Sequence, residues 1–332
     1  MAMNKRVLLR RRPQGWVTEA DFEIAEAPVP APGEGQVLVR NHFLSLDPYM
    51  RGRMSDAKSY AASAELGDVM VGGTVGEVLE SRDPAFKPGD FVVGALGWQQ
   101  FGVAPAKTFR KIDAKAAPAQ AYLGVLGMPG VTAWMGLLTI GEPKAGETVA
   151  VSAASGAVGS AVGQIAKIKG ARAVGIAGGA AKCRYVIEEL GFDACVDYKA
   201  QSFVADLEAA TPKGVDVYFE NVGGAVLDAM IPRLNPFSRM PLCGLISQYN
   251  DVEPKGLVNL RAFLSNRIKL QGFIVSDRLE LWPQALKELA EWVSAGKIKY
   301  RETIAQGIET APKAFVGLLK GENFGKQLVK LI

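Results

Sequence analysis

The chain has 332 residues, of which 48% are apolar and 22% charged, and its 38 lysines and arginines against 34 acids leave a formal net charge of +4. This is a globular composition with chain enough for two domains. The bases are dispersed, the densest run being Arg10-Arg11-Arg12, so neither a nucleic-acid groove nor a membrane patch is indicated, and no apolar run reaches the roughly 18 residues of a membrane helix.

In chain order, the first 125 residues read as short strands bounded by turns. A Pro/Gly-rich stretch (Pro28, Pro30, Pro32, Gly33, Gly35) precedes the apolar run 37–41, alternating valines mark 72–79, and Lys87-Pro88-Gly89-Asp90 introduces 91–94. Such spacing predicts an antiparallel barrel. The segment 97–106 is little constrained and could shape a pocket. Gly127-Met128-Pro129-Gly130 punctuates a boundary, and a helix over 131–138 follows. Strands are then expected at 148–153, 172–177, about 193–196, 215–219, 240–245 and 269–274, alternating with helices, which predicts a doubly wound parallel sheet. A helix over 281–295 ends at Gly296, and a final apolar run, 327–332, is positioned to return to the first lobe. The expected division is 1–126 completed by 300–332, and 127–299. The strand at 267–275, if it forms a sheet edge, could pair with a second copy.

The densest chemical signal is Ala153-Ala154-Ser155-Gly156-Ala157-Val158-Gly159. It lies between a strand and an alanine-rich helix, 156–169, with a second strand directly after. In such a βαβ turn, small residues let backbone N–H groups and the helix N-terminus approach a pyrophosphate. The first glycine of G-x-G-x-x-G is replaced by Ala154. An NAD-binding unit carries an acid about twenty residues on to hold the ribose 2′-hydroxyl. Here the chain offers Gly178-Gly179, Lys182 and Arg184 instead. A missing acid and a present cation favour the 2′-phosphate of NADP(H) over the plainer alternative that both bases lie on a solvated helix face.

Metal and hydrolase chemistry are disfavoured by counting. A catalytic zinc takes three protein ligands, and this chain has a single histidine, His42, inside a predicted strand. Cys183, Cys195 and Cys243 show no C-x-x-C spacing. An odd number of cysteines and no apolar leader point to a reducing, cytoplasmic setting.

Six runs together resemble one family: Leu46-Asp47-Pro48-Tyr49-Met50-Arg51, 127–133, 153–159, Phe219-Glu220-Asn221-Val222-Gly223-Gly224, 243–250 and Lys320-Gly321-Glu322-Asn323-Phe324-Gly325-Lys326. In order and spacing the chain is similar to the zinc-independent, NADP-dependent alkenal/one reductases of the medium-chain dehydrogenase/reductase superfamily. That group includes prostaglandin reductases, plant double-bond reductases and bacterial curcumin reductase. The resemblance implies an α/β fold with a GroES-like β-barrel lobe and a Rossmann lobe, a homodimer, and reduction of the C=C bond of an enone or enal by NADPH without metal. It also assigns residues. Lys182 would hold the 2′-phosphate, with Tyr198 near the adenosine end. Asn221, Cys243, Tyr249, the backbone of Phe273-Ile274-Val275 and Asn323 would meet the nicotinamide half. Tyr49 and Tyr60 would line the substrate pocket. Taken alone, Tyr198, Tyr49 and Tyr60 read as packing residues and Asn221 as a turn residue. Tyr249 suits catalysis because a phenol, titrating near pH ~10, stays a proton donor at neutral pH. It could hold the cofactor ribose, support an enolate oxygen or protonate the α-carbon. The Gly178-Gly179 pair departs from relatives, which often carry Ser or Asp near the lysine. Quinone reduction, and an NADPH-binding regulatory or RNA-associated role, are the alternative functions.

Overall fold

Strands come first in the chain. The computed structural model describes residues 2–253 and 256–332. A hairpin of β1 (Met3–Leu9) and β2 (Phe22–Pro28) precedes the long strand β3 (Gln36–Ser45). Helix α1 (Tyr49–Arg53) follows, then β4 (Thr74–Ser81), β5 (Phe91–Gly94), β6 (Phe101–Pro105) and β7 (Arg110–Ile112). β3 pairs antiparallel with both β4 and β6. The little-constrained segment 97–106 therefore contains a paired strand, Gln36 facing Pro105 through Arg40 facing Phe101. Its apolar alternation is only two residues deep, too short to stand out from sequence. The β3–β4 register shifts beside Gly76, where an added Cβ would lie 2.2 Å from the Arg40 carbonyl oxygen, so only glycine fits the bulge.

The second run of elements is a repeated strand–helix pattern. Helix α2 (Met128–Gly136) carries Pro129 in its first turn, where a missing N–H costs nothing, and so begins three residues before the expected start. Then come β8 (Thr148–Ser152), α3 (Gly159–Ile168), β9 (Arg172–Ala177), α4 (Ala180–Glu188), β10 (Ala194–Asp197), α5 (Phe203–Ala210), β11 (Val215–Phe219), α6 (Gly224–Met230), β12 (Leu234–Leu242), α7 (Arg261–Ser265), β13 (Lys269–Gly272) and α8 (Trp282–Ser294). The six strands form a parallel sheet in the order β10-β9-β8-β11-β12-β13. From β8 the chain winds one way to β9 and later the other way to β11. This reversal makes the carboxyl ends of β8 and β11 the switch point where ligands bind in such sheets. β12 ends at Leu242, short of the expected 245, because the Cys243 and Gly244 N–H groups both turn to the Glu220 carbonyl, at 2.9 and 3.2 Å. β13 stops at Gly272 because Ile274 enters a tight turn with Asp277.

The chain closes with β14 (Glu302–Gln306), α9 (Ala311–Leu319) and β15 (Lys326–Lys330). β15 pairs antiparallel with β3 and parallel with β14, so the first sheet is antiparallel with one parallel edge pair. Two compact units result: everything up to Gly124 together with Glu302–Ile332, and Val125–Arg301. The core of the first centres on Trp98, stacked on Phe22 at 5.2 Å and edge-on to Phe315 at 5.6 Å. The second packs Val174, Ile176, Tyr218, Met230 and Met240 under one face of its sheet.

Candidate coenzyme and catalytic site

The turn after β8 is tighter than its sequence suggests. Ala153, not Ala154, takes the left-handed conformation, with φ of 51°, and its carbonyl accepts the Gly156 N–H at 2.8 Å. An alanine there carries strain of about 1 kcal/mol that glycine would not. An added Cβ on Gly159 would lie 2.3 Å from the Ala153 oxygen, which requires glycine where the helix begins. Closing this turn first delays α3 to Gly159 rather than 156. Ala154 and Ser155 are buried, while Gly156, Ala157 and Val158 are partly exposed ahead of the helix. The cradle of small residues fits a pyrophosphate.

At the end of β9 the Gly178-Gly179 turn explains itself. An added Cβ on Gly178 would meet the Tyr198 ring at 2.9 Å and Lys199 Cε at 3.2 Å, so a side chain there would displace both. Asp197 holds the turn, its carboxylate accepting the Gly179 N–H at 2.7 Å and the Lys199 N–H at 3.0 Å. Lys182 lies one turn into α4, half-buried; burial first, and then the charge of Lys199, draw its pKa below the ordinary lysine value. Two lysines thus converge beside one glycine turn, an arrangement that a dianion would relieve. Lys199 was not singled out from sequence, though its place after Tyr198 was visible. Arg184 is an exposed residue of α4, whereas Lys182, the other base read from the sequence, is half-buried and feels the charge of Lys199.

Between β8 and β11 a fully buried carboxylate organises the switch point. Glu220 Oε1 accepts the Ser152 hydroxyl at 2.9 Å, the Gly223 N–H at 2.8 Å and the Val222 N–H. Ser152 in turn accepts the Asn221 N–H at 2.8 Å, and the Asn221 side-chain amide donates to the Ser152 carbonyl at 2.9 Å. Burial raises the Glu220 pKa above the ordinary carboxylate value, partly offset by these donors. Its second oxygen lies beside the buried Tyr218 hydroxyl, and neither atom has a partner in good hydrogen-bond geometry among the described residues. The Cys243 thiol is pushed up to about 12, by burial and then by Glu220, and stays protonated. The Tyr249 oxygen accepts the Leu245 N–H at 3.3 Å, folding the phenol back over Gly244, where an added Cβ would meet it at 3.0 Å.

Other expected contacts are tied into their own turns. The Ile274 N–H donates to Asp277 at 3.2 Å and the Val275 carbonyl accepts the Trp282 indole at 3.0 Å, while Phe273 packs edge-on to Phe219. The Asn323 amide donates to Gly325 O at 2.8 Å. In the first unit, Tyr49 opens α1, and burial raises its hydroxyl well above the ordinary phenol value. Tyr60 is exposed. Arg53, which sequence reading did not single out, joins the two, its guanidinium 5.7 Å from the Tyr49 ring and 4.8 Å from that of Tyr60. Nearby, buried Lys326 donates to Leu46 O at 2.6 Å and Asp47 at 2.9 Å, and Ser45 donates to the same carboxylate.

Comparison with known proteins follows the same outline. Residues 5–112 match a family model described as the N-terminal domain of oxidoreductase, and residues 157–292 one described as zinc-binding dehydrogenase. The chain is 50% identical to NADPH-dependent curcumin reductase of Escherichia coli, covering 99% of this chain and 97% of that one. It is 43% identical to the NADP(+)-dependent 2-alkenal reductase of Nicotiana tabacum, over 98% and 97%. The crystal structure of CurA from Vibrio vulnificus in complex with NADPH superposes with a TM-score of 0.95, 46% identity and 99% coverage of each chain. This chain belongs to the NADP-dependent alkenal/one reductase group of the medium-chain dehydrogenase/reductases. Although one model of this reductase family carries zinc in its description, no group of three or more His, Cys, Asp or Glu side chains converges for a metal among the described residues. His42 packs edge-on to Phe91 at 5.2 Å within β3.

Proposed function

We propose that the protein reduces the carbon–carbon double bond of α,β-unsaturated ketones and aldehydes with NADPH. The observation that carries this reading is identity of about half, along essentially the whole chain, to reductases named for such substrates and for this coenzyme. When bound, NADPH supplies the hydride, which goes to the β-carbon of the olefin. Every other part of the work falls to the chain. Lys182 and Lys199, with Tyr198 and Gly178, would hold the 2′-phosphate end; residues 154–159 would receive the pyrophosphate. The turn 221–224, held by Glu220 and Ser152, would present Asn221 toward the nicotinamide half, together with Cys243 and the 273–275 backbone. Asn323 is assigned to the coenzyme, and Tyr49 and Tyr60 to the substrate, on family resemblance.

The negative charge left on the substrate spreads onto its carbonyl oxygen, where hydrogen bonds in a water-poor site can stabilise it. Tyr249 is the donor proposed for this task and for protonating the α-carbon. We further propose that a second copy pairs along β13, whose four residues are all exposed at the sheet edge, and that the protein works in the cytoplasm. No helix among the described residues is long and apolar enough to cross a membrane.

Incubation with NADPH and a simple enone, without oxygen, is expected to yield the saturated ketone. An allylic alcohol, or turnover of quinones alone, would overturn the assignment. Tyr249→Phe is expected to lower kcat about 10- to 100-fold with little change in the KM for NADPH. Unchanged turnover would reduce Tyr249 to a packing residue.

A further inference from the structure

We propose that Cys183 and Cys195 form a dithiol that peroxides convert to a disulfide, and that this modification weakens coenzyme binding at the neighbouring 2′-phosphate end. The second half of this proposal rests on the reading of Lys182 given above. Cys183 lies on the buried side of α4, one turn before Val186. Cys195 lies in β10 opposite Gly175 of β9. Gly175 leaves a gap in the sheet: an added Cβ there would lie 3.2 Å from Cys195 Sγ and 2.9 Å from Val186 Cγ1. The Cys195 thiol therefore occupies the face of the sheet that α4 covers, and it meets the Cys183 thiol there in a hydrogen bond. Two thiols that face each other between one helix and one strand are placed to close to the ~2.05 Å of a disulfide.

The pair is also asymmetric. Donation from Cys195 lowers the Cys183 pKa, while that same hydrogen bond and then burial raise that of Cys195, so the thiolate forms on Cys183 and the proton stays on Cys195. Cys183 is only 8% exposed and Cys195 more so, which favours a small oxidant. With hydrogen peroxide, the Cys183 thiolate attacks one oxygen; the S–O bond forms, the O–O bond breaks, and hydroxide leaves and takes up a proton as water. The Cys195 sulfur then attacks the sulfenic acid, forming S–S and breaking S–O, and its proton leaves with the second water. Two thiols lose two electrons to one peroxide.

Position gives the pair its consequence. Lys182 directly precedes Cys183, its backbone N–H donates to the Gly179 carbonyl at 3.0 Å, and Gly179 is tied in turn to Asp197, two residues beyond Cys195. Drawing α4 toward β10 pulls on this whole loop.

Protein treated with hydrogen peroxide, alkylated, digested and weighed should yield a Cys183–Cys195 linked peptide, cleaved by dithiothreitol, with Cys243 recovered alkylated. Calorimetry on the same sample should show the Kd for NADPH raised several-fold, restored by reductant and insensitive to peroxide in Cys183→Ser and Cys195→Ser. Absence of the linked peptide overturns the site, whatever the coenzyme does. A linked peptide with unchanged NADPH affinity overturns the coupling; Lys182→Ala measured on the reduced protein then tells whether the Lys182 reading fell with it.

Discussion

Lys182 and Lys199 are the two residues proposed to recognise the 2′-phosphate. Each alone is a lysine near the end of a strand; together, with Gly178 clearing the space and the Tyr198 ring packed against it, they form a site of paired positive charge. Lys182→Ala removes one of two cations, so the preference for NADPH over NADH should fall by roughly 10- to 100-fold, equivalent to about 1.4–2.7 kcal/mol, with NADH use almost unchanged. Lys199→Ala should act in the same direction. Because the two charges repel in the free protein, the double variant should lose less than the sum of the single losses, as kcat/KM ratios for the two coenzymes would reveal. Equal loss with both coenzymes would remove the 2′-phosphate from the account. From sequence, the missing acid and Lys182 were legible because the twenty-residue spacing of a βαβ unit is fixed by helix and strand length. Lys199 was not, since only the fold of β10 back alongside β9 brings it to Gly178.

The element that matters most is the β11–α6 turn, and its stability is a question of protons. Glu220 satisfies Ser152 and two backbone N–H groups, so Glu220→Ala leaves three buried donors unpaired, at a cost of about 1–3 kcal/mol each. Such a variant is expected to fold poorly. Glu220→Gln keeps an acceptor for these donors and is the informative change. Burial raises the Glu220 pKa, so the folded state holds its proton at pH values where the unfolded chain has released it; stability is greatest below the unfolded value and falls as pH rises through the raised folded value. Urea unfolding from pH 4 to 8 should therefore show a decline in the parent protein that Glu220→Gln flattens. An identical slope in both would place the titration elsewhere. Phe219 to Gly224 was legible as a motif, yet the role of Glu220 was hidden. A glutamate after an apolar strand looks solvated until the topology lays β8 alongside and supplies Ser152 as its partner.

For the whole molecule, the order of strands and helices was largely readable because each βα unit carries its own periodicity. Ends were harder to place. β12 and β13 stop where Cys243, Gly244 and Ile274 find partners outside the sheet, and no local pattern announces a hydrogen bond to Glu220 or Asp277. β6 was missed because its pairing with β3 is decided sixty residues away. The same sheet logic bears on assembly. A six-stranded parallel sheet ends at β13 with Lys269–Gly272 exposed, and Val258, Leu264 and Leu279 in the flanking segments are 86%, 81% and 62% exposed. An edge of this kind invites a strand, and a two-fold axis would let β13 meet its own copy. Leu270 lies in the middle of that edge, 41% exposed. Leu270→Glu would set two carboxylates close together across the axis, so light scattering should show the dimer dissociation constant raised by about tenfold or more, about 1.4 kcal/mol. Turnover per chain at saturating NADPH should persist, because Leu270 is not among the residues assigned to coenzyme or substrate. A variant as dimeric as its parent would move the interface off β13, and a parent that is monomeric at all concentrations would leave its exposed apolar flank without the proposed second copy.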